Sequence, residues 1–545
     1  MQKSNDFSPF ELFFGPLTTI KAITLLIIVG IVVFFNSFFN YFLWDDISLI
    51  LNNVGIHSFN FFTGFDHKTA LFFGYFRPIY FIYFSFLYPI FQDNTFFYHL
   101  IQVSFHILNS ILIFIFFKKI INKYISFFLS LVFLVHPINV ETTVYISAVL
   151  YPLLSIFGLL SLVKLQKQIL TNKEYISIGI MLFLSLITKE EGILYILIAF
   201  IFCLLLKRTH LKNLTIAGGL ATIIYGLIRF ITGNFAIENG NFLELSHQGF
   251  MERLFNIPAI FFYYIMSFFF PKDISLNQTW VVHTIDLSSF YLPLFFDSVF
   301  FFILFLAGFY VYKKNKNNIT IFIFFLIWFL LGILMHLQII PLDMIAADRW
   351  FYFSIIGLLG MGGLLIQEIN ISNKNIKFLL FLIGTIALVL LSLRTMVRNT
   401  NWHDEITLFE HDSQVSTTRQ TESLLGKDYL DIRDYKSSLR HFKKALELSP
   451  DEAAYLNVGV IYLKQNNYNE AISYFKKSIK TNYLPKNSHQ QVIIISYGYL
   501  AICEYKMNNR EDALNAIKKA RSMSSTSDFI DNLYQNILNN RPIDQ

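Results

Sequence analysis

The acidic pair in Trp44-Asp45-Asp46 is the first place in this 545-residue chain where side chains could do chemistry. It directly follows a long apolar run. Two adjacent carboxylates there could cap a helix into solvent, or take a proton from a reacting hydroxyl. The next stretch carries Asn52, Asn53, His57 and Asp66, then Phe76-Arg77-Pro78. A second island is His136-Pro137-Ile138-Asn139-Val140-Glu141. Pro137 suits a helix break, and His136 alone reads as a satisfied polar residue more readily than as a catalyst. The third island, Thr188-Lys189-Glu190-Glu191-Gly192, sets three charges between two apolar runs. The fourth holds Asp343 and then Ala347-Asp348-Arg349-Trp350-Phe351-Tyr352. Arg229 stands near the end of its own apolar run and Asp297 lies inside another. Asp348 and Arg349 can simply pair, but a guanidinium also suits phosphate oxygens. Ionisable groups in or beside a membrane are functional candidates because burying them is costly.

The elements that must position these islands are membrane helices. The chain is 54% hydrophobic, 18% aromatic and 15% charged, against about 25% charged in a soluble domain. Apolar runs long enough to span, roughly 20 residues, lie near 20–43, 95–117, 124–140, 143–163, 175–188, 192–206, 213–231, 289–312, 318–340, 350–367 and 377–393. The expected fold class is all-α: a polytopic bundle of about 11 spans with a helical-repeat solenoid behind it. The N-terminus lacks a compact cleavable signal, so the first run is expected to stay as a signal anchor.

Lysine and arginine in short loops set orientation. The clusters at 118–123, 164–173, 207–212, 313–316 and 374–377 all fall on one side, the cytoplasm, and the four islands fall on the other. Parity then makes 252–270 re-entrant or interfacial on the outer side, and 75–91 likewise. The domains follow: 1–18 a cytoplasmic tail, 19–393 the membrane domain, 394–418 an amphipathic linker with Trp402, His403, Asp404 and Glu405, and 419–540 the repeats. Cys203 and Cys503 are too few for a disulfide framework and show no metal spacing.

The repeats are read from register. Gly426, Tyr429, Tyr435 and Phe442 recur 33 residues later as Gly459, Tyr462, Tyr468 and Phe475, Ser438 matches Ala471, and Pro450 closes the first unit. A third, weaker unit carries Ala501, Tyr505, Ala513, Ile517 and Ala520. This resembles the tetratricopeptide repeat, paired helices packed through small and aromatic residues. Such repeats stack into a solenoid with a concave face that could hold a polypeptide; they could also only stabilise or dimerise the chain.

The ordered islands with repeats at the end resemble the transmembrane and tetratricopeptide-repeat O-mannosyltransferases and their bacterial relatives, within the GT-C glycosyltransferases. The matching words are Trp44-Asp45-Asp46, Phe76-Arg77-Pro78, Tyr98-His99-Leu100 to His106-Ile107-Leu108-Asn109, and Val135-His136-Pro137 with Glu141. Lys189-Glu190-Glu191-Gly192, Phe270-Pro271 with Leu276, and Asp348-Arg349-Trp350-Phe351-Tyr352 complete the set. The family commonly has Gln where Glu191 stands and Tyr where Trp350 stands; the first departure adds a charge beside the expected donor site.

The resemblance implies a hexose, mannose-like, carried on polyprenyl or dolichyl phosphate. It implies inverting transfer on the outer face, with an acid of the first outer loop as catalyst. Asp45 or Asp46 would be the base, with a slight preference for Asp46, and a divalent cation could sit on the pair; no other cofactor is expected. Arg77, Lys189, Arg229 and Arg349 would hold the donor phosphate, supported by His136, Glu141, Glu190 and Asp348. The partners are then membrane lipid, the donor and a protein acceptor on the repeats, with no nucleic acid. A bacterial inner membrane with periplasmic repeats suits the compact loops. No phosphate-cradling glycine loop is evident, and nucleotide sugars would be absent outside. The rival readings are a non-catalytic scaffold acting through its repeats, a transporter, which would carry polar residues at mid-membrane, and a transferase acting on glycolipids.

Overall fold

A computed structural model describes residues 16–62, 76–232, 249–276, 278, 280–282, 284–340, 342, 344–370, 373–484, 486–523 and 528–543. Asp66 and Asp343 lie outside the described residues. Helices make up the architecture; an isolated bridge between Gln278 and Ala346 is the β-pairing found among the described residues.

Among the described residues, seven helices can cross a membrane by length and composition: Thr19–Phe39, Thr95–Phe117, Ile146–Leu165, Arg208–Ile231, Leu287–Lys314, Asp348–Glu368 and Lys374–Asn401. An eighth arises if Lys123–Val135 and Pro137–Val144, bent by 53° at their junction, form one span. The remaining apolar runs fold as shorter helices, Asn172–Thr188 (17 residues), Ile193–Leu206 (14 residues) and Asn318–Leu334 (17 residues). At 1.5 Å per residue, 14 residues reach about 21 Å, short of a bilayer's hydrocarbon thickness of about 30 Å. Segments 75–91 and 252–270 also fold short, as Pro78–Phe91 and, after a separate turn at Phe250–Leu254, Ile257–Phe269.

The bend has a legible cause and a specific remedy. Pro137 has no N–H to give, and His136 is extended, so the last carbonyls of Lys123–Val135 lose their helical donors. In lipid each must be satisfied from within. Asn139 donates to the carbonyl of Phe133 (2.8 Å), His106 pairs with that of Leu134 (3.0 Å) and Thr395 donates to that of Val135 (2.7 Å). Gln102 serves the carbonyls of Thr142 (2.9 Å) and Tyr145 (2.7 Å) beyond the bend, and Asn109 serves Pro152 (2.8 Å). The buried polar stripe His99, Gln102, His106 and Asn109 on Thr95–Phe117 thus pins irregular backbone.

The bundle has two chemically distinct ends. At one, basic loops touch one another: Lys118 with Thr19, Lys123 with the Leu17 carbonyl, Lys207 with Gln168, and His210 with the Lys167 carbonyl. At the other lie the four islands described below.

The stretch 394–418, expected as a linker, is built into the bundle. The helix Lys374–Asn401 runs well past residue 393 and is followed by Glu405–Val415. Arg398 and Trp402 are fully buried, and Trp402, Leu408 and Phe409 share one apolar core with the membrane helices.

Beyond it, Arg419–Asp431 and Tyr435–Leu448, Glu452–Lys464 and Tyr468–Lys480, and Lys486–Lys506 and Arg510–Met523 form three helix pairs, closed by Asp528–Leu538. The glycine register has a steric basis: a Cβ on Gly426 would stand 2.8 Å from the Phe442 ring, and one on Gly459 2.5 Å from that of Phe475. Arg433, Asn466 and Asn508 end the first helix of each pair in the left-handed region (φ 64°, 58° and 64°), and Asn540 (φ 55°) repeats this after the last helix. The third unit was faint because its first helix spans 21 residues, against 13 for the corresponding helix of each other unit, which breaks the 33-residue offset.

Candidate active site

Asp45 and Asp46 open a short helical turn that follows the first span. Asp45 is half-buried and Asp46 fully buried. Asp46 accepts from the Leu43 N–H (3.1 Å) through one oxygen, and from both the N–H (2.8 Å) and the hydroxyl of Ser147 through the other. Burial pushes its carboxyl up to about 7 even though Ser147 and Leu43 pull it down. Ser147 sits in the turn before Leu150–Leu165, just past the bend, so the stripe that pins the bend also fixes this donor.

Arg77 enters at the N-terminus of Pro78–Phe91 and faces Glu190 at 3.6 Å. The Tyr80 phenol lies within electrostatic reach of Asp45, Asp46 and Arg77 together. Lys189 is buried against the Tyr151 ring (3.9 Å) and ion-pairs with Glu191. Glu191 also faces His336 at 3.5 Å. Burial opposes its charge, but Lys189 and His336 outweigh burial and hold it well below the usual carboxylate range. The turn is tight: a Cβ on Gly192 would stand 2.2 Å from the Ser185 carbonyl oxygen, so only glycine fits. Arg229 is half-buried beside Tyr225 (3.3 Å from its hydroxyl), whose phenol feels Glu190 and Arg77 as well.

Arg349 is gripped from both sides of its backbone by Glu141, which accepts from its N–H (3.0 Å) and from its guanidinium. Asp348, its sequence neighbour, instead accepts from Tyr263 (2.6 Å). The expected Asp348–Arg349 pair is therefore replaced by Glu141–Arg349, because successive residues of the turn at Asp348–Trp350 point apart. Trp350 stacks on His336 (4.8 Å, 15°), which ties this island to Glu191. The Tyr145 phenol lies within electrostatic reach of Asp45, Asp46 and Arg349.

The charged groups of all four islands thus meet at one end of the bundle. Arg77, Lys189, Glu190 and Arg229 form one group, Glu141 and Arg349 another, and the acid turn bridges them through Tyr80 and Tyr145. His136 takes a framework place: one ring nitrogen accepts from Ile138 (3.2 Å), the other meets the Phe268 carbonyl (2.9 Å), and the ring stacks on Phe268. Among the described residues no group of three or more acidic, histidine or cysteine side chains is arranged to hold a metal ion. Sequence reasoning missed Ser147, Tyr80, Tyr145 and His336. Single polar residues in apolar runs give no signal of their own; Ser147 could have been found only as a hydroxyl just beyond the predicted break.

Residues 453–482 match the tetratricopeptide repeat family. The chain is 22% identical over 566 residues to protein O-mannosyl-transferase TMTC3 of Mus musculus, a match that covers 96% of this chain and 60% of that protein. It is 23% identical over 567 residues to the Homo sapiens protein of the same name, covering 96% and 61%. The protein O-mannosyl-transferase F38B6.6 of Caenorhabditis elegans is 22% identical over 469 residues, covering 79% and 63%. Along nearly its whole length this chain is similar to protein O-mannosyl-transferases. It spans about three fifths of the length of these curated relatives.

Proposed function

We propose that this protein is an inverting membrane glycosyltransferase of the GT-C type. It moves a mannose-like hexose from a polyprenyl-phosphate donor to a protein hydroxyl, with the repeats presenting the acceptor. The observation that carries this reading is the gathering of Asp45, Asp46, Arg77, Lys189, Arg229 and Arg349 at the end of the bundle opposite the basic loops. The similarity to protein O-mannosyl-transferases supports it.

In this reading the acceptor oxygen attacks the anomeric carbon on the face opposite the phosphate. The carbon–oxygen bond to phosphate breaks, and its electron pair leaves on the phosphate. The hydroxyl proton passes to a carboxylate as the new bond forms. Asp45, the more accessible acid, is the base. Asp46, walled in by three donors, holds the turn; its burial argues against giving it the proton transfer that the sequence slightly favoured. Arg77 faces the phosphate, with Lys189 and Arg229 adding positive potential behind it. Glu190 orients Arg77. Arg349, already held by Glu141, keeps Tyr145 and the acid turn in place, while Asp348 and His136 stiffen their own turns. The lysine and arginine bias of the loops puts the basic end of the bundle in the cytoplasm. The site and the repeats then lie on the non-cytoplasmic face, periplasmic in a bacterial inner membrane.

The test is transfer by purified full-length protein from a panel of polyprenyl-phosphate sugars to Ser/Thr peptides. Wild type should transfer one sugar, and Asp45→Asn should lose roughly 10²–10⁴-fold in kcat, the usual worth of a general base. Equal behaviour of wild type, Asp45→Asn and Asp46→Asn across the panel would defeat the proposal.

A further inference from the structure

We infer that Glu405 is a positioning residue for the Asp45–Asp46 turn, and that the helix joining bundle to repeats clamps that turn. The inference rests on the glycosyl-transfer reading and deepens it. Its starting point is Trp44, which has φ 50°. A bulky L-residue in the left-handed region is strained and persists only where its surroundings over-determine it. Those surroundings come from the far end of the sequence.

The Trp44 N–H donates to a Glu405 carboxylate oxygen (2.8 Å). Just before it, the Tyr41 N–H donates to the His403 carbonyl (3.0 Å), and the Asn40 amide to the Asn399 carbonyl (3.1 Å). The rings reinforce the same seam. Trp44 stacks on Tyr145 (6.0 Å, 27°), Tyr145 stacks on Trp402 (5.8 Å, 30°), and the Arg398 guanidinium stands 5.5 Å from the Trp402 ring. Asp45 is the next residue after Trp44, so a rotation of the Trp44 peptide swings its carboxylate.

The clamp is anchored at both ends. Toward the bundle, Asp412 accepts from the Leu276 N–H (2.8 Å) and faces Arg398 at 3.6 Å. Toward the repeats, Ser413 donates to Glu422 (2.7 Å), and the Asp428 carboxyl of the first repeat helix lies within electrostatic reach of Glu405 itself. The first repeat is thereby one side chain removed from the backbone of the acid turn. On this basis the repeats do more than present an acceptor: their first helix holds the grip on the catalytic loop.

The decisive comparison is Glu405→Ala against Glu405→Gln in the full-length protein, with Asp45→Asn alongside. Two quantities are read: transfer from polyprenyl-phosphate mannose to a Ser/Thr peptide, and amide exchange over residues 41–47. Glu405→Ala should lower kcat at least about tenfold, the loss of one charge-assisted hydrogen bond, leave the donor KM within about twofold, and speed exchange at 41–47. Glu405→Gln keeps an oxygen for the Trp44 N–H and should restore most of kcat. Unchanged kcat and exchange in Glu405→Ala, or equal impairment of both variants, would overturn the clamp. If wild type and Asp45→Asn transfer alike, the glycosyl-transfer reading fails instead, and exchange at 41–47 alone then decides whether Glu405 holds the turn.

Discussion

Removing the Ser147 hydroxyl should move the pH dependence of transfer rather than abolish transfer. Asp46 is buried, and burial lifts its carboxyl to about 7 against the pull of its three donors. Only as a carboxylate can it accept from all three; a proton on either oxygen displaces one and loosens the turn that carries Asp45. A hydrogen bond to a charged group is worth about 1.5–3 kcal/mol. It favours the charged form, so its loss in Ser147→Ala makes protonation easier. At 1.36 kcal/mol per pH unit, the midpoint should rise from about 7 to roughly 8–9. The carboxylate fraction at pH 7 then falls from about one half to between a tenth and a hundredth, and transfer drops about 5- to 50-fold. Raising the pH should restore it. The assay is the pH–rate profile of sugar transfer between pH 5.5 and 9.5 for wild type and Ser147→Ala. An acid limb that coincides in the two proteins would refute the role given to Asp46. So would a loss in Ser147→Ala that is the same at every pH.

Three further outcomes are expected. Glu191→Gln removes the carboxylate that neutralises Lys189, leaving a buried charge at a cost of about 3 kcal/mol; Tm should fall while polyprenyl-phosphate mannose binds more tightly in equilibrium titration. Gly459→Ala pushes a methyl into the Phe475 ring 2.5 Å away. Overpacking of about 1–3 kcal/mol exceeds the roughly 1 kcal/mol that alanine adds to a helix, so thermal unfolding followed by circular dichroism should begin earlier. Asp428 is lifted to about 7, by burial first and by Glu405 beside it. The folded protein therefore holds that proton more tightly than the unfolded chain does, and the stabilisation is present at acidic pH and lost as pH rises through 7. The Tm difference between wild type and Asp428→Asn should accordingly change between pH 5 and pH 8.5, and a constant difference would exclude the linkage.

The repeats were legible because their packing is periodic: a glycine must face an aromatic ring in each of the first two units, and that demand writes itself at a fixed offset. The helix break was legible from Pro137 alone. The charged islands were legible as residue types, since ionisable groups in so apolar a chain need a reason. Their partners were not. Glu141 meets Arg349 across 208 residues, Asp46 meets Ser147 across 101, and Trp44 meets Glu405 across 361. Nothing local marks such pairs, and adjacency actively misled for Asp348 and Arg349. The amphipathic stretch 394–418 packs more deeply than its residue types indicate, because Arg398 and Asp412 face each other in the core and so permit burial.

The buried polar groups of this bundle divide by charge, and the division explains where a reaction centre can form. Within the apolar layer the neutral ones, Gln102, His106, Asn139 and Thr395, are spent on carbonyls that the helix breaks release, because lipid offers those carbonyls no other donor. Through these donors they fix the backbone. The charged ones of the four islands stand at one end of the bundle, where partial hydration lowers the cost of keeping them ionised, and they meet one another; Asp297, buried within Leu292–Lys314, is an exception. A bend in Lys123–Val144 is what brings the two populations together. The same irregular backbone that must be repaired inside carries Glu141 and Ser147 to that end of the bundle, beside Arg349 and Asp46. A straight span there would need no repair, and it would also leave the acid turn without its donors.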